Sequence, residues 1–452
     1  MPPKTTTKAA APANVTIHLV TVGTTPGNGP DVVDALIEEL RPDKPRRVIV
    51  LATGDSLDNA ERIRKGLRLG ASTFAVHPIA SAHSLDAAFE ATSELIRNLL
   101  AEGVQPSSII LHYTAGTKVM SAGAVLAALR YEIQSFRYLY SPGRGQKSEA
   151  IATSPTVILA DQRIRMAATM VQELRFRSAA DMLKATVQCD TSGVVGRHAA
   201  GLRALALAYL EWDNFRASEF LRLYEEAIPH FAEVPALSPL RITDTHAAAL
   251  RRISESERAA KSAYPEELLL DLVNNAIRRL AERRPDDAMI RLYRAMELYA
   301  QEVLLSDHGI RTEDVEIRKV PPRYRAAFES ERRLDDATIK LGLRKSFELL
   351  AVLGNAVGVA FQQHEEVQKG LRERRHLVLG HGTQPGTIAQ ALHLLEGVFD
   401  LLRVRIKDPV AQARRQQFPW IDSEDVLARL GRQRSAEDPV IVTEEKPRKR
   451  RG

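Results

Sequence analysis

From Val15 to Ala160 the chain alternates short apolar runs with stretches of helical spacing. The runs Val15–Val22, Arg47–Ala52, Ser72–His77, Ser108–His112, Phe136–Tyr140 and Thr156–Ala160 predict strands. Between them, Pro30–Leu40, Leu57–Leu69, Ser84–Leu100 and Lys118–Tyr131 carry a 3.6-residue period and predict helices. Strands that are apolar throughout, alternating with helices, predict a parallel sheet covered on both faces. In such sheets ligands bind beyond the carboxyl ends of the strands.

After about residue 162 the strand pattern stops. Gln162–Thr186 and Arg197–Ala227 read as helices, and Pro229–Thr245 as a proline-containing joint. Residues 265–305, 322–373 and 387–406 return to helical periodicity. In the first of these, Leu268, Leu269, Leu272, Ala276 and Leu280 fall on one stripe. The fold class is therefore an α/β N-terminal domain followed by an all-α region. The expected organisation is a polar leader (1–14), an α/β domain (15–165), a helical connector (166–255), a helical domain (256–435) and a basic tail (436–452). Leader and tail have the composition of disordered segments.

Charge changes this picture less than its total implies. The chain of 452 residues has 63 Lys+Arg and 57 Asp+Glu, a formal +6 that invites a nucleic-acid reading. Seven of those cations are Lys4, Lys8, Lys446, Arg448, Lys449, Arg450 and Arg451, so residues 9–445 carry 6 − 7 = −1. The basic character belongs to the ends. A single cysteine, Cys189, excludes an intrachain disulfide and a Cys-rich zinc site, and fits a reducing cytosol. The leader has no apolar core of a secretory signal, and no apolar run reaches membrane-spanning length. The expected location is cytoplasmic, with no membrane partner.

Two loops at strand ends carry candidate chemistry. Thr21-Val22-Gly23-Thr24-Thr25-Pro26-Gly27-Asn28-Gly29-Pro30 leads from the first strand into a helix. Glycine and small hydroxylated residues expose backbone N–H groups there, which suits phosphate, although neither a P-loop nor a dinucleotide fingerprint is present. A tight turn of any α/β protein reads the same way. The second loop, Tyr113-Thr114-Ala115-Gly116-Thr117-Lys118-Val119-Met120, places Thr117 and Lys118 at a helix start, with Gly116 permitting close approach. A lysine there, beside hydroxyls and free N–H groups, can hold a phosphodiester. A solvated first-turn lysine is the bland alternative, and the helix dipole counts against it. Thr53, Asp55 and Ser56 end the second strand and are further candidates for the same pocket.

Together the two loops resemble a CARF domain, the Rossmann-like sensor of type III CRISPR ancillary proteins. The second motif of that family usually reads Asp-x-Thr-Gly-Gly-Thr-Lys-x-Met; here His112 replaces the acid and Ala115 the first glycine. The resemblance implies a homodimer that binds cyclic oligoadenylate as an allosteric activator, with no cofactor. Its ligand residues would be Gly23, Thr24, Thr25, Thr114, Gly116, Thr117 and Lys118. Residues Glu266 to Gln301 also resemble the branch of CARF proteins in which a helical effector follows the sensor. By spacing alone they are two amphipathic helices, with Asp286 and Asp287 placed to cap the second.

Further on, Arg375, His376 and His381 resemble the Arg-x(4–6)-His motif of HEPN ribonucleases. Arg241 and His246 fit the same spacing by chance, inside the joint, and Arg374 is the neighbouring choice. HEPN chemistry uses no metal: His381 would transfer protons, and Arg375 would stabilise charge on the scissile phosphate. The resemblance implies a composite site contributed by both protomers and a single-stranded RNA substrate. The 2′-hydroxyl would be the nucleophile, leaving a 2′,3′-cyclic phosphate or 3′-phosphate and a 5′-hydroxyl. Two other readings stand beside it: a ligand-sensing regulator without nuclease activity, and a metal-dependent nuclease.

Overall fold

The computed structural model describes residues 16–24, 32–43, 45, 47–140, 148–188, 193–259, 264–333, 338–373, 376, 377, 379 and 382–437. They fall into two compact units, Met1–Gln162 and Arg163–Gly452. The first is built on a six-stranded sheet in the order β3-β2-β1-β4-β5-β6. Its strands are β1 (Ile17–Val22), β2 (Arg47–Ala52), β3 (Phe74–Pro78), β4 (Ile109–His112), β5 (Ser135–Tyr140) and β6 (Glu149–Thr153). Between them run α1 (Val32–Asp43), α2 (Leu57–Gly66), α3 (Leu85–Ala101) and α4 (Lys118–Arg130).

Strand alternation divides the core between two faces. Ile17, Leu19, Ile49, Leu51, Ile109 and Leu111 pack with Ile96 and Leu99 of α3 and Met120 and Ala124 of α4. Val20, Val22, Val48 and Val50 pack instead with Leu36 and Leu40 of α1 and Ile63 of α2. Both sheet faces are therefore covered, as continuous apolar runs require. Strand β1 pairs in parallel with both β2 and β4, so the strand order reverses there. That reversal is where an open α/β sheet leaves a crevice.

One expectation fails at the sheet edge. Thr156–Ala160 is not a strand but the start of a helix, α5 (Thr156–Gln172). The sixth strand is Glu149–Thr153, which runs antiparallel to β5. All five of its residues are exposed, so it lacks the apolar signature that marks the inner strands. Thr156–Ala160 gains its apolar look from Val157 and Ile158, which are 58% and 50% exposed.

The second unit is helical. It contains α6 (Phe176–Gln188), α7 (Val194–Asp213), α8 (Ala217–Glu233), α9 (Asp244–Arg258), α10 (Glu266–Ala281) and α11 (Pro285–His308). Then come α12 (Arg325–Glu329), α13 (Leu343–Val352), α14 (Ala356–Gln363), α15 (Glu365–Glu373), α16 (Ile388–Leu402), α17 (Pro409–Arg415) and α18 (Ser423–Glu437). Three long helical expectations are broken into pieces. Leu174 (φ 63°) separates α5 from α6, Phe215 (φ 62°) separates α7 from α8, and Gly354 (φ 74°) separates α13 from α14. A left-handed residue stops a helix at a cost of about 1–2 kcal/mol when it is not glycine. Neither Leu174 nor Phe215 disturbs the apolar period, so the sequence conceals both breaks.

Helix α10 departs from its predicted single stripe. Every residue from Leu269 to Leu280 is buried, including Asp271, Asn274, Asn275, Arg278 and Arg279. The Arg278 guanidinium donates to Asp213 (2.9 Å), Gln417 (2.8 Å) and Asp271 (3.4 Å) and lies 4.0 Å from the centre of the Phe418 ring. Arg279 donates to Asp213 at 2.6 Å, and Trp212 to Asp271 at 3.1 Å. Burial raises the Asp271 carboxyl above the usual range, against the pull of Arg278. Among the described residues, no helix is long and apolar enough to cross a membrane.

Candidate functional site

The two strand-end loops meet at the β1–β4 reversal. Gly23 N–H donates to Ala115 O at 2.7 Å. A Cβ on Gly23 would stand 3.3 Å from Thr117 N, and one on Gly116 would stand 2.8 Å from Thr21 Cβ. Gly116 is thus required where the loop packs on Thr21, whereas a side chain on Gly23 would be a tight but smaller intrusion. Thr117 is the N-cap of α4: its hydroxyl accepts from Met120 N–H at 3.1 Å and donates to Ala82 O at 2.8 Å. Thr114 Oγ1 accepts from Leu139 N–H at 2.7 Å, tying the loop to β5.

Lys118 is the first residue of α4, exposed, with no ion pair among the described residues. The first turn of α4 contains no acid. Lys118 and Thr24 are both exposed, and Lys118 sits at the positive end of the α4 dipole. Of the predicted ligand residues, Gly23, Thr24, Thr114, Gly116, Thr117 and Lys118 are brought together, while Thr25 lies outside the described residues. Thr53 and Ser56 bond mainly to each other, Ser56 Oγ donating to Thr53 O at 3.1 Å, whereas Asp55 is exposed. Sequence reasoning missed Asn59, whose amide donates to Gly23 O at 2.9 Å and fixes the first loop from α2.

Beneath the loops lies a buried polar cluster that was also not foreseen. His18 Nδ1 and His112 Nε2 are 3.0 Å apart, and His112 Nδ1 is 3.0 Å from Glu39 of α1. Arg137 of β5 donates to Glu39 at 2.9 Å and to Asp43 at 2.6 Å. Burial, reinforced by His112, lowers the His18 imidazole to about 4. Burial also pushes the Glu39 carboxyl up, but His112 and Arg137 together hold it below the usual range. His112, which stands where related motifs carry an acid, is 2% exposed and belongs to this floor.

In the helical unit, Arg375 and His381, with the neighbouring Arg374, lie outside the described residues. Their surroundings are described. Helix α15 ends at Glu373, and His376 is exposed. Gly382 N–H donates to Leu377 O at 2.8 Å and Gln384 N–H to His376 O at 3.2 Å. A Cβ on Gly382 would overlap the His376 carbonyl, so only glycine permits this approach. Gly386 N–H donates to both carboxylate oxygens of Asp286 at 3.1 Å. Asp286 therefore anchors this loop rather than capping α11, and Asp287 pairs with Arg284 and Arg291. Thr387 and Gln390 form a capping box that starts α16.

The chance pair is structural. His246 is buried in a capping box with Thr243, its Nε2 2.7 Å from Gln417 O. Arg241 lies over the Phe231 ring at 5.8 Å.

A Rossmann-like sheet with paired loops at its reversal point, followed by a helical unit, is the arrangement the sequence resemblances led one to expect. Residues 242–404 match the family model of the Csm6 HEPN domain. Among solved structures, Enterococcus italicus Csm6 bound to cyclic hexa-2′-fluoro-hexa-dAMP matches with TM-score 0.52 and 11% identity, over 93% of this chain and 99% of that one. The chain thus has the CARF–HEPN fold. Can2 from Sulfobacillus thermosulfidooxidans, in complex with cyclic tetra-adenylate, matches at TM-score 0.23 and 13% identity, over 45% of this chain and 67% of that one. A comparison with curated proteins finds no match.

Proposed function

We propose that the protein is a cyclic-oligoadenylate-activated endoribonuclease of type III CRISPR antiviral defence. The observation that carries this reading is the match of residues 242–404 to the Csm6 HEPN domain, a span that contains Arg375, His376 and His381. The sensor loops support the ligand half. Lys118, the Thr117–Met120 backbone and the Gly23–Thr24 turn offer a cation and N–H groups to phosphodiesters. A cyclic, two-fold symmetric polyanion fits two copies of such a loop, so the working form is a homodimer. Residues 166–255 act as connector and 256–435 as effector.

Cleavage is metal-independent and takes place on single-stranded RNA. The 2′-hydroxyl attacks the adjacent phosphorus, and the bond to the 5′-oxygen of the next nucleotide breaks. His381 serves proton transfer, and Arg375 stabilises the charge that gathers on the phosphoryl oxygens. Backbone closure between His376–Leu377 and Gly382–Gln384 supports placing these groups on one phosphate. The site is completed by the partner protomer. The test is cleavage of labelled RNA with cyclic tri-, tetra- or hexa-adenylate, with and without EDTA. One ring size is expected to activate in EDTA, and His381→Ala is expected to abolish cleavage while ligand binding persists. Activated cleavage that survives His381→Ala would overturn the site; loss of cleavage in EDTA would overturn metal independence.

A further inference from the structure

Hydrogen bonds tie the loops at the carboxyl end of the sheet into one belt. Asn59 of α2 donates to Gly23 O at 2.9 Å, and Gly23 N–H donates to Ala115 O at 2.7 Å. Two residues on from Ala115, the Thr117 hydroxyl donates to Ala82 O at 2.8 Å. That bond brings in a third loop, residues 79–84, which leads from β3 into α3. Ile79 N–H donates to Ala52 O at 2.8 Å, so the loop sets out beside the end of β2. At its far end α3 starts alongside α4: a Cβ on Gly123 would stand 2.9 Å from Leu85 O and Phe89 N.

In each loop the residue after the belt member is polar and exposed: Thr24 after Gly23, Lys118 after Thr117 and His83 after Ala82. Lys118 and His83 flank the same 2.8 Å bond, each one residue, about 3.8 Å of backbone, away from it. The surrounding structure is complete without the His83 ring. Ser84 caps α3, accepting from Ala87 N–H at 3.1 Å, and Asp86 meets the helix dipole. His83 N–H donates to Ser81 Oγ at 3.2 Å, so the turn closes without the imidazole. The ring itself makes no hydrogen bond or ion pair among the described residues.

We infer that His83 is a further contact for the cyclic oligoadenylate, its ring N–H donating to a phosphodiester next to the one held by Lys118. The inference rests on the activator reading above. Lys118 supplies a point charge; imidazole adds a directed donor, and its bond to an anion strengthens when the ring is charged. Imidazole changes charge between about pH 5 and 8, whereas a phosphodiester stays anionic there. The charged or titratable side chains on the elements around the loop are Lys118 of α4, Asp86 and Glu90 of α3, His77 of β3 and Asp55 after β2. The ligand adds negative charge to that set, so binding takes up a proton and tightens as pH falls. His83 binds the activator and takes no part in RNA cleavage.

The experiment is calorimetric titration of the full-length protein with cyclic tri-, tetra- and hexa-adenylate at about pH 6 and about pH 8. One ring size is expected to bind, more tightly at the lower pH. His83→Ala is expected to weaken that binding roughly tenfold at the lower pH. His83→Gln keeps an N–H donor, so it is expected to hold most of the affinity at the higher pH and to lose the gain on acidification. Unchanged affinity in His83→Ala overturns the contact; if Lys118→Ala still abolishes binding, the activator reading stands. A loss in both variants that leaves the pH dependence intact makes His83 a structural residue of the turn and equally overturns the contact. If no ring binds the wild type, the activator reading fails and the contact with it. If binding behaves as expected but no ring elicits RNA cleavage, the contact stands and the activated-ribonuclease reading fails.

Discussion

His112 occupies the position where related motifs carry an acid, yet its side chain turns away from the loop and into the sheet floor. It bridges His18 and Glu39, and Arg137 closes the cluster toward Asp43. The departure therefore alters what supports the loop rather than what the loop presents. Protonation has a definite direction here. Unfolded His18 gains its proton near pH 6.5, but burial and His112 hold the folded group neutral until about pH 4. The unfolded chain binds more protons across that window, so stability present above 6.5 is lost as pH falls toward 4. The loss is on the order of 3 kcal/mol at most, tempered by Glu39 and Asp43 nearby. His18→Gln is expected to flatten the dependence of urea unfolding on pH between 6.5 and 4. An unaltered slope would remove His18 from the account.

Helix α10 organises the helical unit, and polar residues make it do so. Asp213 accepts from Asn275, Arg278 and Arg279 and so receives three side chains of one helix. Removing one partner of a buried ion network strands the others, at a cost of about 3–5 kcal/mol. Asp213→Ala is expected to lose about that much in urea unfolding, and Arg278→Met less, because an apolar side chain leaves no charge behind. Equal losses would argue that packing against Phe418, not charge, dominates. None of this was legible in the sequence. Asp, Asn and Arg within a helical period read as a solvent face, and only the tertiary partners Asp213 and Gln417 reverse that reading. The strands tell the opposite story. β1, β2 and β4 were legible because burial on both faces demands mostly Val, Ile and Leu, whereas exposed β6 is under no such demand. At the loops, Gly23, Gly116 and Thr117 announced themselves by type, while the Asn59 clamp did not, its partner lying 36 residues away.

For the whole molecule, charge and function are separated. Residues 9–445 carry a formal −1, and five cations sit between Lys446 and Arg451. Deleting Lys446–Gly452 is expected to weaken RNA binding most at low salt, reducing the slope of log K against log salt by about 0.7 for each phosphate it contacts. Ligand-stimulated cleavage is expected to remain at saturating RNA; its disappearance would give the tail a role beyond capture. Arg278 has one more consequence, for where the helical unit can be cut. The recognised HEPN segment spans 242–404, but Arg278 reaches back to Asp213 and forward to Gln417 and Phe418, and Asn274 donates to Ala413 O at 2.7 Å. Scissors placed at 242 and 404 would leave a fully buried guanidinium with only Asp271 for company. A fragment that keeps this network intact is therefore longer than the matched segment, beginning no later than α7 and ending no earlier than Phe418, and it reaches back past the proposed boundary at residue 255.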